Sequence, residues 1–203
     1  MVPDPAERQE LLRTLLQEAD RLDHVVKNIL AFARMESRRG VNRGPVTLGE
    51  LLGRAGTRLA ERAGQSSRPL EVVAEPALAA LVLDTDPTVV EQILLNLVDN
   101  ACKYAAGAQD PTLRLDVVRD GPWMRMRFRD YGPGIPPGDV ARIFLPFRTP
   151  SSESARRAPG IGLGLALCRR LAKALGGKLE LDGAVRDGAG FVLSLPLGEA
   201  TLR

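Results

Sequence analysis

The residues of this chain best suited to chemistry fall in three stretches. In Asn96-Leu97-Val98-Asp99-Asn100-Ala101-Cys102-Lys103-Tyr104, the polar residues Asn96, Asn100 and Lys103 stand at i, i+4 and i+7. On a helix that spacing gathers them on one face and sets Ile93, Leu97 and Ala101 on the other. An amide oxygen ligates Mg²⁺, and an ammonium beside it offsets phosphate charge. The same pattern also reads as a plain solvated face. Asp130 precedes Tyr131-Gly132-Pro133-Gly134-Ile135, where two glycines permit a tight turn and close approach of backbone to a flat ligand. A carboxylate there can accept the exocyclic amine of adenine, although taken singly an Asp before such a turn is only a turn.

The third stretch is Gly160-Ile161-Gly162-Leu163-Gly164-Leu165. Bare amides at a helix start bind anions, and glycine lets phosphate come close. No Lys-Ser/Thr follows the last glycine, which excludes a Walker phosphate loop, and the glycine spacing does not match the dinucleotide fingerprint. Between Phe147 and Gly160 the chain is rich in Ser, Arg and Pro, a composition that needs a ligand to become rigid. Arg148, Arg156 and Arg157 are candidates there for phosphate contact, with solvation as the ordinary alternative.

These stretches need elements to position them. Pro45 to Thr47 is predicted as a short strand and Leu48 to Gly64 as a helix facing Leu51, Leu52, Ala55 and Leu59 inward. Strands are predicted at Leu70 to Ala74 and Ala80 to Leu83. Asp86-Pro87 starts a helix reaching about Ala106, with Val90, Ile93, Leu94, Leu97 and Ala101 buried. Leu113 to Val118 and Trp123 to Arg129 alternate with period two around Asp120-Gly121-Pro122. Asp139 to Ile143 is predicted as a short helix and Gly162 to Leu175 as a longer one, with Leu165, Ala166 and Leu171 inward and Gly176-Gly177 stopping it. Lys178 to Leu181 and Phe191 to Leu195 close as strands around an Asp187-Gly188 turn. The expected fold class is α+β, a two-layer α/β sandwich.

Ahead of it, residues 6–36 place Leu12, Leu15, Ala19, Leu22, Val26, Ile29 and Ala33 at alternating steps of three and four. That is the seam of a coiled coil or helical bundle, and one helix cannot bury it alone. Residues 37–44 then form a linker. With 203 residues, 28 basic against 25 acidic and no long basic run, the chain carries neither a nucleic-acid nor a membrane footprint. Cys102 and Cys168 are isolated and are expected to pack as small apolar side chains in a reducing cytoplasm. No apolar run approaches the roughly 20 residues that span a bilayer. A soluble, cytoplasmic chain is expected, from a parent that could be anchored to a membrane through a part absent here.

In this order, and with Phe144-Leu145-Pro146-Phe147 between the last two, the motifs resemble the ATP-binding domain of a sensor histidine kinase, of the Bergerat type shared with gyrase-like ATPases. The resemblance spans nearly the whole chain and implies ATP and Mg²⁺ as cofactors. It gives Asn100 the magnesium-holding role with Asn96 its partner one turn earlier, Lys103 a phosphate contact, and Tyr104 a place beside the nucleotide. Asp130 becomes the adenine-recognising residue, in a turn with Gly132, Gly134 and Ile135. Gly160, Gly162, Leu163, Gly164 and Leu165 line the phosphate side. The polar loop corresponds to an ATP lid flanked by Arg148, with Phe144 and Phe147 as its anchoring aromatic box. Residues 1–40 then correspond to the second helix of a dimerisation hairpin with its linker, and 41–203 to the catalytic domain.

Three departures stand out. The helix that should carry the phospho-accepting histidine is missing, and the only histidine, His24, has Val25 where an acidic residue should act as base, so it reads as structural. Gly190 replaces the Ser or Thr that often precedes the final-strand phenylalanine, here Phe191. The lid is short of the acidic residues common in relatives. The leading expectation is the ATP-binding fragment of a two-component histidine kinase. It would transfer the γ-phosphoryl to a histidine on a helix absent here, for relay to a response regulator, within a parent that dimerises through the N-terminal helix. A dimerising scaffold that binds nucleotide without transferring phosphate is the alternative. An ATP hydrolase of the same fold is disfavoured, because such relatives place a glutamate where this chain has Asn96.

Overall fold

The computed structural model describes residues 41–105, 107–148 and 162–198, together with Asp4, Arg8, Gln9, Leu11, Leu12, Thr14, Leu15 and Val26. The chain falls into two compact units, Met1–Arg39 and Gly40–Arg203. In the first, the described positions from Arg8 onward are helical, and Leu11, Leu12, Leu15 and Val26 are all exposed. The rest of the expected seam, and His24, lie outside the described residues.

In the second unit, β1 (Gly44–Thr47) runs straight into α1 (Leu48–Gly64) through a capping box. The Thr47 hydroxyl accepts from the Glu50 N–H at 3.2 Å, and the Thr47 N–H donates to the Glu50 carboxylate at 3.0 Å, which satisfies two donors that the helix start would otherwise leave open. Leu48, Leu51, Ala55, Leu59 and Ala63 form the buried stripe. Leu52, expected inward, is only half-buried, at the margin of the surface that the neighbouring elements cover.

β2 (Leu70–Ala74) follows as expected. The next strand is displaced: β3 spans Val82–Thr85 rather than 80–83, because Glu75-Pro76 opens a 3-10 turn over Pro76–Ala80 that absorbs Ala80. Antiparallel pairing with β1, from Gly44 opposite Thr85 to Thr47 opposite Val82, fixes the register and turns Leu83 and Thr85 inward.

Asp86 caps α2 (Pro87–Tyr104), its carboxylate accepting from Thr88 and Val89, with Pro87 in the first turn. The expected face is buried, but so are Glu91 and Asn96. Two cross-helix ion pairs, Arg58 to Glu91 and Arg62 to Asp99 at 2.6 Å, join α1 to α2. The helix stops at Tyr104, ahead of the expected end.

β4 (Leu113–Asp120), β5 (Trp123–Arg129), β6 (Lys178–Leu181) and β7 (Gly190–Pro196) join β2 in one sheet, ordered β2-β4-β5-β7-β6. Only β2 and β4 run parallel; the other pairs are antiparallel. Alternation brings Leu113, Leu115, Val117, Met124, Met126 and Phe128 to the buried face, where the helices form the second layer. The α+β two-layer sandwich expected from the sequence is what this unit forms.

Two expected helices shift. α3 is a single turn, Pro137–Val140, started early by Pro137 in the first helical position. α4 runs Gly164–Ala174 and cannot begin at Gly162, whose φ is +71°. Gly176-Gly177 ends it as expected. Gly176 has φ +76°, and a side chain at Gly177 would overlap the Ser194 carbonyl. Both cysteines are free; burial pushes the Cys168 thiol far above its ordinary range, so it packs rather than reacts. No helix among the described residues is long and apolar enough to cross a membrane.

Candidate functional site

The asparagine face of α2 is not a solvated one. Asn96 is 3% exposed, and its Nδ2 donates to the Gln92 carbonyl at 2.9 Å, which leaves its oxygen turned the other way. Asn100 is half-buried, and its Nδ2 is fully buried with no hydrogen-bond partner among the described residues. A buried amide nitrogen left unpaired costs about 1–3 kcal/mol, and such groups mark sites with another purpose.

What covers this face is the start of α4. A Cβ built on Gly164 would lie 3.4 Å from Asn96 Oδ1 and 3.9 Å from Asn100 Oδ1. The helix begins without a side-chain cap, since Leu163 occupies that position. The open N–H groups and positive dipole end of its first turn thus lie beside the Asn96 and Asn100 side-chain amides. Oxygen ligands for a hard cation and amides for an anion thus share one narrow space, and the donor set fits Mg²⁺ carrying phosphate oxygens. Lys103 is placed differently: its Nζ sits 4.9 Å from the centre of the Tyr104 ring. Burial raises the Tyr104 pKa.

Asp130, 7% exposed, follows β5 directly. Its Oδ1 accepts from the N–H of Gly132 at 2.9 Å and of Ala189 at 3.2 Å, and its own N–H donates to the Ala189 carbonyl at 3.0 Å. Neither side-chain bond uses Oδ2, which is left as an acceptor for something else. Burial raises the carboxyl pKa, opposed first by the Gly132 and Ala189 N–H groups and then by the positive charges of Arg68 and Arg129. Arg129 is steered aside by stacking 4.4 Å over the Tyr131 ring and by donating to the Asp187 carbonyl at 3.1 Å.

This turn depends on close backbone approach. A Cβ on Gly132 would come 2.5 Å from that of Ala105, at the end of α2. Gly134, with φ +75°, would come 2.9 Å from the Gly188 carbonyl. Ile135 is half-buried beside it.

The polar loop is joined at its base. The Phe147 N–H donates to the Gly162 carbonyl at 3.0 Å, and a side chain on Gly162 would overlap the Arg148 backbone. Of the expected aromatic box, Phe144 packs edge-on against Phe191 with ring centres 6.4 Å apart, and the Arg169 guanidinium lies 4.9 Å from its centre. Phe147 does not join it: at φ +60° it is turned outward and 69% exposed. Arg148 is exposed. Leu163 is buried at 6% exposure, whereas Leu165, expected inward, is half-buried because Ala166, Leu167, Leu171 and Ala172 take the inner face. Gly160, Ile161, Arg156 and Arg157 lie outside the described residues. Gly190 proves to be a packing requirement, since a Cβ there would come 2.6 Å from Val185 Cγ2 and 3.1 Å from Asp182 Cβ.

Two residues with no sequence signal complete the site. Gly188, read only as part of a hairpin turn, has φ +98° and lies so close to Asp130 that any side chain would overlap the Asp130 carbonyl. Arg68, 7% exposed, donates to the carbonyls of Ala105 and, at 3.3 Å, Pro111.

Residues 85–199 match the family model of histidine kinase-, DNA gyrase B-, and HSP90-like ATPases. The sensor protein CutS of Streptomyces coelicolor is 32% identical over 95% of this chain and 45% of its own length. The sensor protein KdpD of Escherichia coli K12 is 36% identical over 85% of this chain and 18% of its own. The chain thus spans less than half the length of either relative. Among solved structures, full-length ShkA in complex with AMPPNP superposes with a TM-score of 0.71 at 28% identity, over 97% of this chain and 40% of that one.

Proposed function

The chain belongs to the histidine kinase-, DNA gyrase B-, and HSP90-like ATPase family, and we propose that residues 41–203 work as the ATP-binding catalytic domain of a two-component sensor histidine kinase. Asp130 Oδ2 accepts the exocyclic amine of adenine; guanine carries an oxo group at that place and would set acceptor against acceptor. Asn100 and Asn96 hold magnesium, which offsets phosphate charge when bound. The Gly164 end of α4 supplies amides to the phosphate oxygens as negative charge shifts during transfer. Lys103 adds positive charge nearby. Positioning and electrostatics then account for most of the rate.

The observation that carries this reading is the approach of Gly164 to both asparagine oxygens. The nature of Asn96 favours transfer over hydrolysis. A neutral amide takes no proton from water at neutral pH, so the base must come with the acceptor, a histidine on a helix outside this chain. Relay to a response regulator, and a homodimer formed through the exposed Leu11, Leu12, Leu15 and Val26 of the first unit, complete the proposal.

A calorimetric titration with ATP tests it, and binding is expected only when Mg²⁺ is present. Mixing with a partner that carries an acceptor helix should then give an acid-labile, base-stable phosphoryl label. Binding without label under any pairing would favour the nucleotide-bound scaffold; no binding at all would remove the reading.

Gly164→Ala separates the site from the fold. The added methyl meets only ordinary contact distances, and alanine is the better helix former by up to about 1 kcal/mol, so the melting temperature should hold or rise. The same methyl intrudes between the two asparagine oxygens, and ATP·Mg²⁺ affinity should fall about tenfold. Unchanged affinity would move the phosphates away from Gly164.

A further inference from the structure

We infer that Arg68 is a positioning residue for nucleotide recognition: its buried guanidinium holds the end of α2, which in turn abuts the turn that carries Asp130. The inference rests on the assignment of Asp130 to adenine.

The backbone before β2 aims this side chain inward. At the end of α1 the N–H of Ser67 bonds the Gly64 carbonyl at 2.9 Å and that of Arg68 bonds the Ala63 carbonyl at 3.0 Å, with Ser67 at φ +53°. That pair of bonds around a left-handed residue is a Schellman motif, in which the position taken by Arg68 usually makes an apolar contact with the helix. Here it sends a guanidinium into the interior, 7% exposed. Burying that charge is costly unless it is hydrogen-bonded and matched by opposite charge. The carbonyls of Ala105 and Pro111 provide the hydrogen bonds. The charge of Arg68 also acts on Asp130, opposing the rise in pKa that burial causes.

The contacts form a continuous path. Arg68 holds Ala105, Ala105 abuts Gly132, and the Gly132 N–H donates to Asp130 Oδ1. Arg129 acts on the carboxylate from the end of β5 and Arg68 from ahead of β2; the loop before β7 presents the Ala189 N–H, and the end of α2 presents the methyl of Ala105 behind Gly132.

The sign of the effect follows. An ionised carboxylate accepts adenine's amine more strongly than the neutral acid, so binding weakens as pH falls through the Asp130 pKa. Arg68 lowers that pKa, and without it the acid limb moves to higher pH. Calorimetric ATP·Mg²⁺ titrations between about pH 5 and 8 on wild type, Arg68→Gln and Arg68→Lys read this out, with thermal melts to establish folding. The ratio of the Gln variant's Kd to wild type should grow by about threefold or more towards acid pH, whereas Lys, which keeps the charge, should restore the wild-type limb. Parallel profiles, with the Gln variant weaker by the same factor at every pH, would reduce Arg68 to a structural strut and overturn the inference. If Gln does not fold, an acid limb in the Lys variant displaced from wild type overturns it equally, and a coincident one supports it. Asp130→Asn in the same series keeps the two readings apart: wild-type affinity in that variant would sink the adenine assignment itself, independently of Arg68.

Discussion

Asp130→Asn should weaken ATP·Mg²⁺ binding by about 100-fold and leave the protein folded. The substitution keeps the volume and one oxygen, so the N–H groups of Gly132 and Ala189, which both reach Oδ1, retain an acceptor. The amide nitrogen then replaces Oδ2 and opposes donor to donor at the adenine amine. A lost hydrogen bond to a charged acceptor is worth about 1.5–3 kcal/mol, and the upper end converts to about two orders of magnitude in Kd.

Stability should move the other way. Burial leaves the Asp130 pKa raised in the folded state. A carboxyl so shifted stabilises the fold at pH below its unfolded value, and that contribution is lost as pH rises through the folded one. At neutral pH the ionised group is therefore a cost, and the neutral amide of the variant removes it. Urea unfolding at neutral pH should show the variant at least as stable as wild type. A Kd change under about threefold would mean that Oδ2 does not meet the base.

What the sequence made legible is what periodicity and local chemistry encode. The buried faces of α2, β4 and β5 follow from spacing alone, and the cap at Asp86 follows from residue type at a helix start. The order of the asparagine, Asp130 and glycine stretches pointed to their meeting. β3 slipped by two residues because its apolar run fits either register until β1 pairs with it. The family resemblance placed Phe147 in an aromatic box, yet its left-handed backbone, fixed by a bond to Gly162 across the polar loop, turns it out. Arg68 and Gly188 gave no sign, because their roles exist only where distant segments touch: Arg68 with Ala105 and Pro111, Gly188 with Asp130. An arginine before a strand and an Asp-Gly in a hairpin have common local explanations, and nothing nearby distinguishes the uncommon one.

Gly188→Ala is where that invisible contact should have its largest effect. The residue sits at φ +98°, which an L side chain rarely adopts, and an added methyl would overlap the Asp130 carbonyl while coming within 2.8 Å of the Tyr131 Cα. Those are backbone atoms of the turn just after β5, which no rotamer change can move aside. Strain at a left-handed position and a backbone overlap add, and a loss of about 3–5 kcal/mol is expected. That is a large share of the ~5–15 kcal/mol that holds a domain folded. Gly183, in the same loop, has nothing within 4 Å and no left-handed backbone, so Gly183→Ala should stay within about 0.5 kcal/mol of wild type. Comparing the two urea midpoints isolates the contact from the general cost of altering the loop. Relief by outward movement of residue 188 would withdraw the Ala189 N–H from Asp130 Oδ1, so any folded Gly188→Ala protein should also bind ATP more weakly. A variant both stable and fully competent would show that the Asp130 turn does not depend on this approach.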